Sequence, residues 1–507
     1  MTPLVHATTP GGFLLVLAVI LPVCAVLAIL ACGPRSAARI ALATFAAGLV
    51  VAIAITTELI SSGKALSYVV GAWQPPLGIA LRADGLSGAM LVMTALVVVA
   101  VGLFAHIQHG LQADAGGGRA QTTFWVMLLA LWSALNAVFV GEDLFNLYVA
   151  LELLTFAAVP LVCLDGRAET VTAALRYLLF ALIGSLLYLL GAGLIYGQYG
   201  TLDLLALAQL GRQDLALAVA LALMIVGLLA KAALFPLHLW LPPAHAGAPA
   251  PASAVLSALV IKAPVFLILR LVLDVAPSQA AAIAGQMLAV LGAASILFCS
   301  VMALRQARLK LMIAYSTVAQ IGYLFIVFPL AAGSADLPPW GTIAWTGGAL
   351  QLVSHALAKA AMFLAAGVIA EAFGHDRIAD LGGFGRVLPI SAAAFGLAGL
   401  SLMGIPPSGG FIAKCLLLTA AVIQGNPWLA ATILAGGVLA GAYVFRVIDK
   451  ALAVPTVPIV ARRAVPRRLE CAALALAIAA VLIGFVPLRP FGFLQIGRDG
   501  LNMAWAP

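Results

Sequence analysis

Charge is scarce in this sequence: 9% of its 507 residues are Asp, Glu, Lys or Arg, against 64% that are apolar. A soluble globular domain carries about 25% charge, so a surface built to face water is excluded. The six cysteines (Cys24, Cys32, Cys163, Cys299, Cys415 and Cys471) are scattered, mostly within apolar runs, and none forms a CxxC pair. That removes a disulfide framework, a zinc site and an iron–sulfur cluster from consideration. There is no haem-attachment motif and no GxGxxG following a strand, so the expectation is no resident metal and no cofactor. Basic patches interleaved with aromatics are missing too. The formal charge of +8 resides largely in loops and does not point to nucleic acid as a partner.

What is present is a succession of apolar runs of about 20 residues, the length that crosses a hydrocarbon core as a helix. The runs are continuous rather than alternating, which excludes a β-barrel and leaves an all-α polytopic bundle. About fourteen spans are expected, centred near residues 22, 49, 94, 131, 153, 184, 227, 263, 292, 319, 357, 405, 437 and 478. The longer connections are Ser61–Arg82, His106–Gln121, Gln198–Asp214, Phe373–Val387 and Arg446–Arg468, and none has the bulk of a soluble domain. No Lys or Arg precedes the first run, Phe13–Ala31, whereas Arg35 and Arg39 follow it. A retained span is therefore expected rather than a signal peptide. Loops after odd-numbered spans carry about fifteen Lys/Arg, and the even-numbered loops with the termini about five. By the positive-inside rule both termini are expected on the non-cytoplasmic side.

The informative residues are ionisable groups inside the runs. The segment Gly227–Arg270 organises the chain, with Lys231 and Lys262 thirty-one residues apart on either side of a Pro/Gly/Ala stretch carrying His238 and His245. A lysine near the membrane midplane costs roughly 3 kcal/mol on insertion scales, so one without a task is not expected. Lys359 and Lys414 are equally far from any span end, whereas Arg176 and Arg270 lie close enough to an end to snorkel. Glu152 lies one to three turns inside the fifth span and needs a cation or water, with Lys231 as the natural partner. His355 precedes Lys359 by four residues, which puts both on one helix face. The Leu234-Phe235-Pro236 stretch after Lys231 and the Gly404–Gly410 stretch before Lys414 break spans seven and twelve. Such breaks are tolerated only against protein or water, and at matching places in a five-span repeat they mark a transport site.

The stretches KAALFPLHLWLPPAHAGAPAPASAVLSALVIK, RQARLKLMIAYSTVAQIGY, SHALAKAAMFLAAG and GIPPSGGFIAK resemble the signature segments of one family. These are the antiporter-like, proton-conducting membrane subunits of respiratory complex I (NADH–quinone oxidoreductase), Mrp-type multisubunit Na+/H+ antiporters and membrane-bound hydrogenases. The resemblance runs from about Asp84 to about residue 450. It implies fourteen core helices and two inverted five-helix repeats. The resulting units are 1–120 (spans one to three), 121–275 (first repeat), 276–450 (second repeat) and 451–507 (last span and tail). It also implies a horizontal polar axis. Glu152 matches the family's glutamate on span five and Lys231 its partner lysine, while Lys262 matches the central relay lysine. His355 matches the span-eleven histidine and Lys414 the terminal lysine. Lys359 matches a lysine present in some branches, and His238 and His245 match the family's loop histidines, whose role is left open, with an accessory one as a candidate.

GEDLFNLYVALE and the RYLLF…GTLDL segment look most like the D-type branch of the Mrp antiporters, whereas Ala244-His245 in LPPAH looks more like complex I and the hydrogenases. The sequence ends about twenty residues after its last span, without the long lateral-helix extension of the largest complex I subunit of this type. The expected function is proton translocation with Mrp-type Na+/H+ antiport favoured, sodium being a candidate counter-ion. The alternative is a pumping subunit of NADH–quinone oxidoreductase or of a hydrogenase. A stand-alone transporter of an organic solute ranks lower, since the buried groups form a line of titratable side chains and not a roomy site. The expected setting is a bacterial inner membrane, with homologous antiporter-like subunits and small membrane subunits as partners. Whether the whole assembly is an enzyme is left open at this point, because no redox site lies in this chain.

Overall fold

A computed structural model of the chain describes residues 7–111, 118–210, 214–331, 340–454, 461–485 and 489–498. Both chain ends, whose side of the membrane the loop charges address, lie outside the described residues, as do parts of the 106–121, 198–214 and 446–468 connections. Helices dominate because apolar residues recur without polar interruption and each helix bonds its own backbone. The first three are α1 (Phe13–Cys32), α2 (Ala37–Ser62) and α3 (Gly85–Leu111). Then come α4 (Gly118–Val140), α5 (Leu144–Val162), α6 (Ala168–Tyr199) and the short α7 (Leu204–Leu210). The middle of the chain is fragmented into α8 (Leu215–Lys231), α9 (Leu241–Gly247), α10 (Ala250–Val255) and α11 (Lys262–Arg270). Next are α12 (Ser278–Arg305), α13 (Leu309–Ala331), α14 (Trp340–Phe373) and α15 (Phe384–Val387). The last are α16 (Pro389–Met403), α17 (Gly409–Ile423), α18 (Pro427–Leu452) and α19 (Arg467–Leu482).

Among the described residues twelve helical segments are long and apolar enough to cross a membrane, and α8, α16 and α17 are apolar but shorter. The two breaks expected from the sequence are present. After α8 the chain runs through turns over 232–240 before α9, and α16 is parted from α17 by Gly404–Ser408. Gly404 has φ 81°, a left-handed conformation that ends α16 and that L-residues avoid. Ser408 restarts the chain by accepting a bond from the Phe411 amide at 3.1 Å.

Three features depart from what the sequence suggests. The Ser61–Arg82 connection holds a two-stranded antiparallel sheet, β1 (Leu66–Val69) with β2 (Ala80–Ala83), paired Leu66 to Ala83. Four-residue strands are too short to stand out beside 20-residue apolar runs. The eighth span contains two π turns, Leu256–Val260 and Leu271–Val275, flanking α11. Such wide turns are frequent at functional sites and leave no periodicity signal. Arg270, expected to snorkel, is instead buried in an ion cluster described below.

Burial sorts the helices. The 250–275 segment is wholly buried and α13 and α14 nearly so, whereas α1, α2 and α19 present most of their surface outward. Close approach places the side chains that matter. A Cβ on Gly184 of α6 would lie 2.5 Å from the Gly227 carbonyl oxygen of α8, and one on Gly227 would lie 2.2 Å from the Gly184 oxygen. The two backbones touch there, one turn before Lys231.

Candidate ion-translocation site

At one side of the bundle Lys231, the last residue of α8, meets Glu152 of α5. Its Nζ lies 3.0 Å from Glu152 Oε1 and donates to Thr155 Oγ1 at 3.0 Å. Ser185 of α6 donates its hydroxyl proton to the same carboxylate oxygen. The Gly184–Gly227 contact sets Ser185 and Lys231 on the two helix faces that enclose the pair. Both side chains are largely buried, so each charge depends on the other.

The remaining lysines of the series have no carboxylate partner among the described residues; each ends on a backbone carbonyl. Lys262, fully buried at the start of α11, donates to the Ser257 carbonyl inside the first π turn at 2.5 Å. Lys359 of α14 donates to the Ile313 carbonyl of α13 at 3.2 Å and to the Ser316 hydroxyl. Lys414 of α17 takes the Leu402 carbonyl at 2.5 Å and stands over the Tyr323 ring, 4.4 Å from its centroid. Leu402 is in the last turn of α16, where a helix leaves carbonyls without intrahelical donors, so the break itself supplies the acceptor. A cation near such a helix end is also favoured by the helix dipole.

Helix α13 joins these sites, a connection that sequence reasoning missed. Ser257 Oγ and Thr317 Oγ1 are 2.8 Å apart, so the residue whose carbonyl takes Lys262 meets the α13 neighbour of Ser316, which takes Lys359. One turn on, Gln320 donates to the Leu402 carbonyl at 3.2 Å and accepts from Gln351 of α14 at 3.2 Å. Tyr323 follows under Lys414. The row Ser316, Thr317, Gln320, Tyr323 at spacings of three and four in an apolar helix was the available signal. His355 is buried and, among the described residues, neither ring nitrogen has a hydrogen-bond partner; Lys262, Lys359 and Lys414 are the charges acting on it. The row stops short of the first pair: no hydrogen bond among the described residues joins Lys231 to Lys262.

His238 and His245 lie on the broken stretch. His238 packs near Phe235 and Tyr315, with its Nδ1 unpartnered among the described residues. The His245 ring stacks on Phe363 at 4.5 Å, and neither of its nitrogens has a hydrogen-bond partner among the described residues. The end of α9 just beyond His245 is held by three cations. Arg308 donates to the Ala246 carbonyl at 3.0 Å, Arg167 to that of Gly247 at 3.1 Å and Lys310 to that of Ala248 at 3.1 Å. Beside them opens a cavity of about 460 Å³, lined by Lys310, Glu371, Gln108, Asp165, Arg462 and Arg463 among others. Asp165, outside the helices, accepts from the Thr170 hydroxyl and from Arg167, which hold its carboxyl below the usual range against the opposing effect of burial.

A second ionic cluster, at the other end of α11, was not foreseen. Arg270 lies 2.6 Å from Asp84 and 3.1 Å from Asp274, and Arg498 reaches Asp274 at 3.6 Å. Burial pushes the carboxyl of neighbouring Glu142, in the α4–α5 connection, up to about 7, although Arg82 and Arg270 oppose the shift. Arg498 covers the Trp345 ring at 3.8 Å, and Arg82 donates to the Gly497 carbonyl at 2.9 Å. No group of three or more Asp, Glu, His or Cys able to hold a metal ion occurs among the described residues.

A multi-pass helical bundle with broken helices and a buried Glu/Lys/His series defines the class: an antiporter-like, proton-translocating integral membrane protein of a multisubunit assembly. The family model described as "NADH:quinone oxidoreductase/Mrp antiporter, TM" matches residues 141–440, and the chain belongs to that family. It is 36% identical over 417 residues to the N subunit of NADH-quinone oxidoreductase from Desulforudis audaxviator, covering 81% of this chain and 79% of that one. It is 30% identical over 397 residues to the D subunit of the Na(+)/H(+) antiporter from Alkalihalophilus pseudofirmus, covering 77% and 76%. A chain in the structure of the Mrp complex from Dietzia sp. DQ12-45-1b superposes with a TM-score of 0.86 at 25% identity, over 97% of this chain and 98% of that one.

Proposed function

We propose that this chain conducts protons across the membrane along Glu152, Lys231, Lys262, Lys359, His355 and Lys414, as one component of a larger assembly. The observation that carries the reading is the series of buried lysines, each ending on a carbonyl or carboxylate, with those from Lys262 to Lys414 linked along α13. A buried ammonium is held charged by a near carboxylate, and moving that carboxylate away favours release of its proton. When Glu152 is close, Lys231 keeps its proton; when the pair opens, the proton passes by water to Lys262 and then along the α13 side chains and His355 to Lys414. A one-unit change in a pKa corresponds to about 1.36 kcal/mol, so modest changes in pairing are enough to move protons. The cavity lined by Lys310 and Gly247 is the mouth through which protons reach this series.

In this reading α8 with α9 and α16 with α17 each cross as one broken span, which brings the spans to fourteen. Residues 121–275 and 276–450 are two inverted repeats between the flanking units 1–120 and 451–507, and Lys231 and Lys414 stand beside equivalent breaks. The basic loops face the cytoplasm of a bacterial cell, and homologous antiporter-like subunits with small membrane subunits pack alongside. His238 and His245 serve as accessory groups.

Two branches remain, each with its own support. The likeness to an Mrp complex chain over nearly the whole fold favours a cation/proton antiporter of the D-type Mrp kind, with sodium as counter-ion. The 36% identity to an N-type oxidoreductase subunit favours the membrane arm of a redox-driven pump, in which this chain moves protons and a partner oxidises NADH. Membrane vesicles holding the native assembly separate them: a sodium jump drives proton movement in the first, NADH oxidation in the second. In either case Lys231→Ala abolishes coupled proton movement while the assembly still purifies intact. Normal transport by that variant would refute the reading.

A further inference from the structure

The span that carries Lys262 begins beside a cavity at Ala250 and ends in an ion cluster at Arg270. Towards α9 and α10 lies the polar cavity of about 460 Å³. In the other direction Lys262, Phe266 and Arg270 follow at intervals of four along α11, so they stack on one face and span roughly 12 Å. The Phe266 ring packs edge to face on Phe139 of α4, with centroids 5.2 Å apart, and the Arg270 guanidinium lies over Phe266, 5.1 Å from its centroid. The guanidinium is fixed from the far side by Asp84, Asp274 and the Ser87 hydroxyl, with Arg498 behind Asp274. The crevice next to it, lined by Leu86, Leu269, Trp345 and Ala349, is apolar and too narrow to hold a water molecule.

A proton needs a chain of water or titratable groups to move. An aromatic constriction denies it water, and a fixed guanidinium, which does not give up its proton, repels a cation. We propose that Phe266 with Phe139, backed by the Asp84–Arg270–Asp274 lattice, is a seal that prevents a proton on Lys262 from escaping along α11 and so obliges it to travel to Lys414. The inference rests on Lys262 being part of the proton route.

The assembled complex is placed in liposomes and passive proton flux is read with an internal pH dye after an external acid jump, with no driving reaction. Phe266→Ala and the double variant Asp84→Asn with Arg270→Gln, which removes both charges together, are each expected to raise passive flux at least fivefold. Adding Lys262→Ala is expected to return the flux to the wild-type level, because the leak passes through that lysine. Phe266→Leu, which keeps an apolar side chain in place, is the control for variants that assemble poorly and is expected to leak less than Phe266→Ala. Unchanged flux in assembled Phe266→Ala, or a leak indifferent to Lys262, overturns the seal. Coupled transport in Lys262→Ala alone would instead overturn the proton route, whatever the leak measurements show.

Discussion

Lys414 shows how a broken helix and a buried cation complete one another. Its ammonium shares with Gln320 the Leu402 carbonyl that the end of α16 leaves without an intrahelical donor, and it stands over the Tyr323 ring. Glu142 presents the opposite case, a carboxyl whose folded-state value of about 7 lies above the ordinary 4.5 because burial opposes its charge. The folded protein therefore holds that proton more tightly than the unfolded chain does. Stability declines as pH rises from about 4.5 to about 7, by roughly 3 kcal/mol at the top of the window, and stays lowered above it. Glu142→Gln is accordingly expected to raise the unfolding temperature of the detergent-solubilised protein at pH 8 and to leave it nearly unchanged at pH 5. An equal effect at both pH values would mean that the charge on Glu142 carries no such cost.

At the scale of elements, the two breaks and the tight crossings set the geometry. A Cβ on Gly410, at the start of α17, would fall 1.9 Å from the Ser401 carbonyl oxygen, so Gly410→Ala must push α17 off the end of α16. Overpacking of this kind costs roughly 1–3 kcal/mol. Thermal unfolding should register that loss, and transport should fall with it because Lys414 moves on the same helix. Ser408→Ala removes the cap on Phe411 together with the hydroxyl's bond to the Ile405 carbonyl and is expected to cost about 1 kcal/mol. The breaks were legible in the sequence because Pro and Gly stand beside buried lysines, and the Glu152–Lys231 pair because an isolated charge in an apolar run must find a partner. The polar row of α13 was not, since Ser, Thr, Gln and Tyr cost little in a helix and raise no alarm one at a time. The π turns around α11 and the β1–β2 sheet were hidden for a related reason: each is a local adjustment settled by packing rather than by pattern. Arg270 was misread because its distance from the span end was visible, while the approach of Asp84 from beside α3 and of Arg498 from the far end of the chain was not.

For the whole molecule, the series of buried ionisable groups reaches from Glu152 on α5 to Lys414 on α17, with its middle in the most deeply buried helices. Such an arrangement is costly in a bilayer and gives no advantage to a mere scaffold. In the proposed route proton passage depends above all on Lys262, which among the described residues has only a carbonyl to hold it. The direct measurement is driven proton translocation by the intact assembly in liposomes, wild type against Lys262→Ala, with assembly checked by subunit composition. Translocation is predicted to disappear while the subunits remain together. Translocation at the wild-type rate without that lysine would contradict a proton route through the buried series.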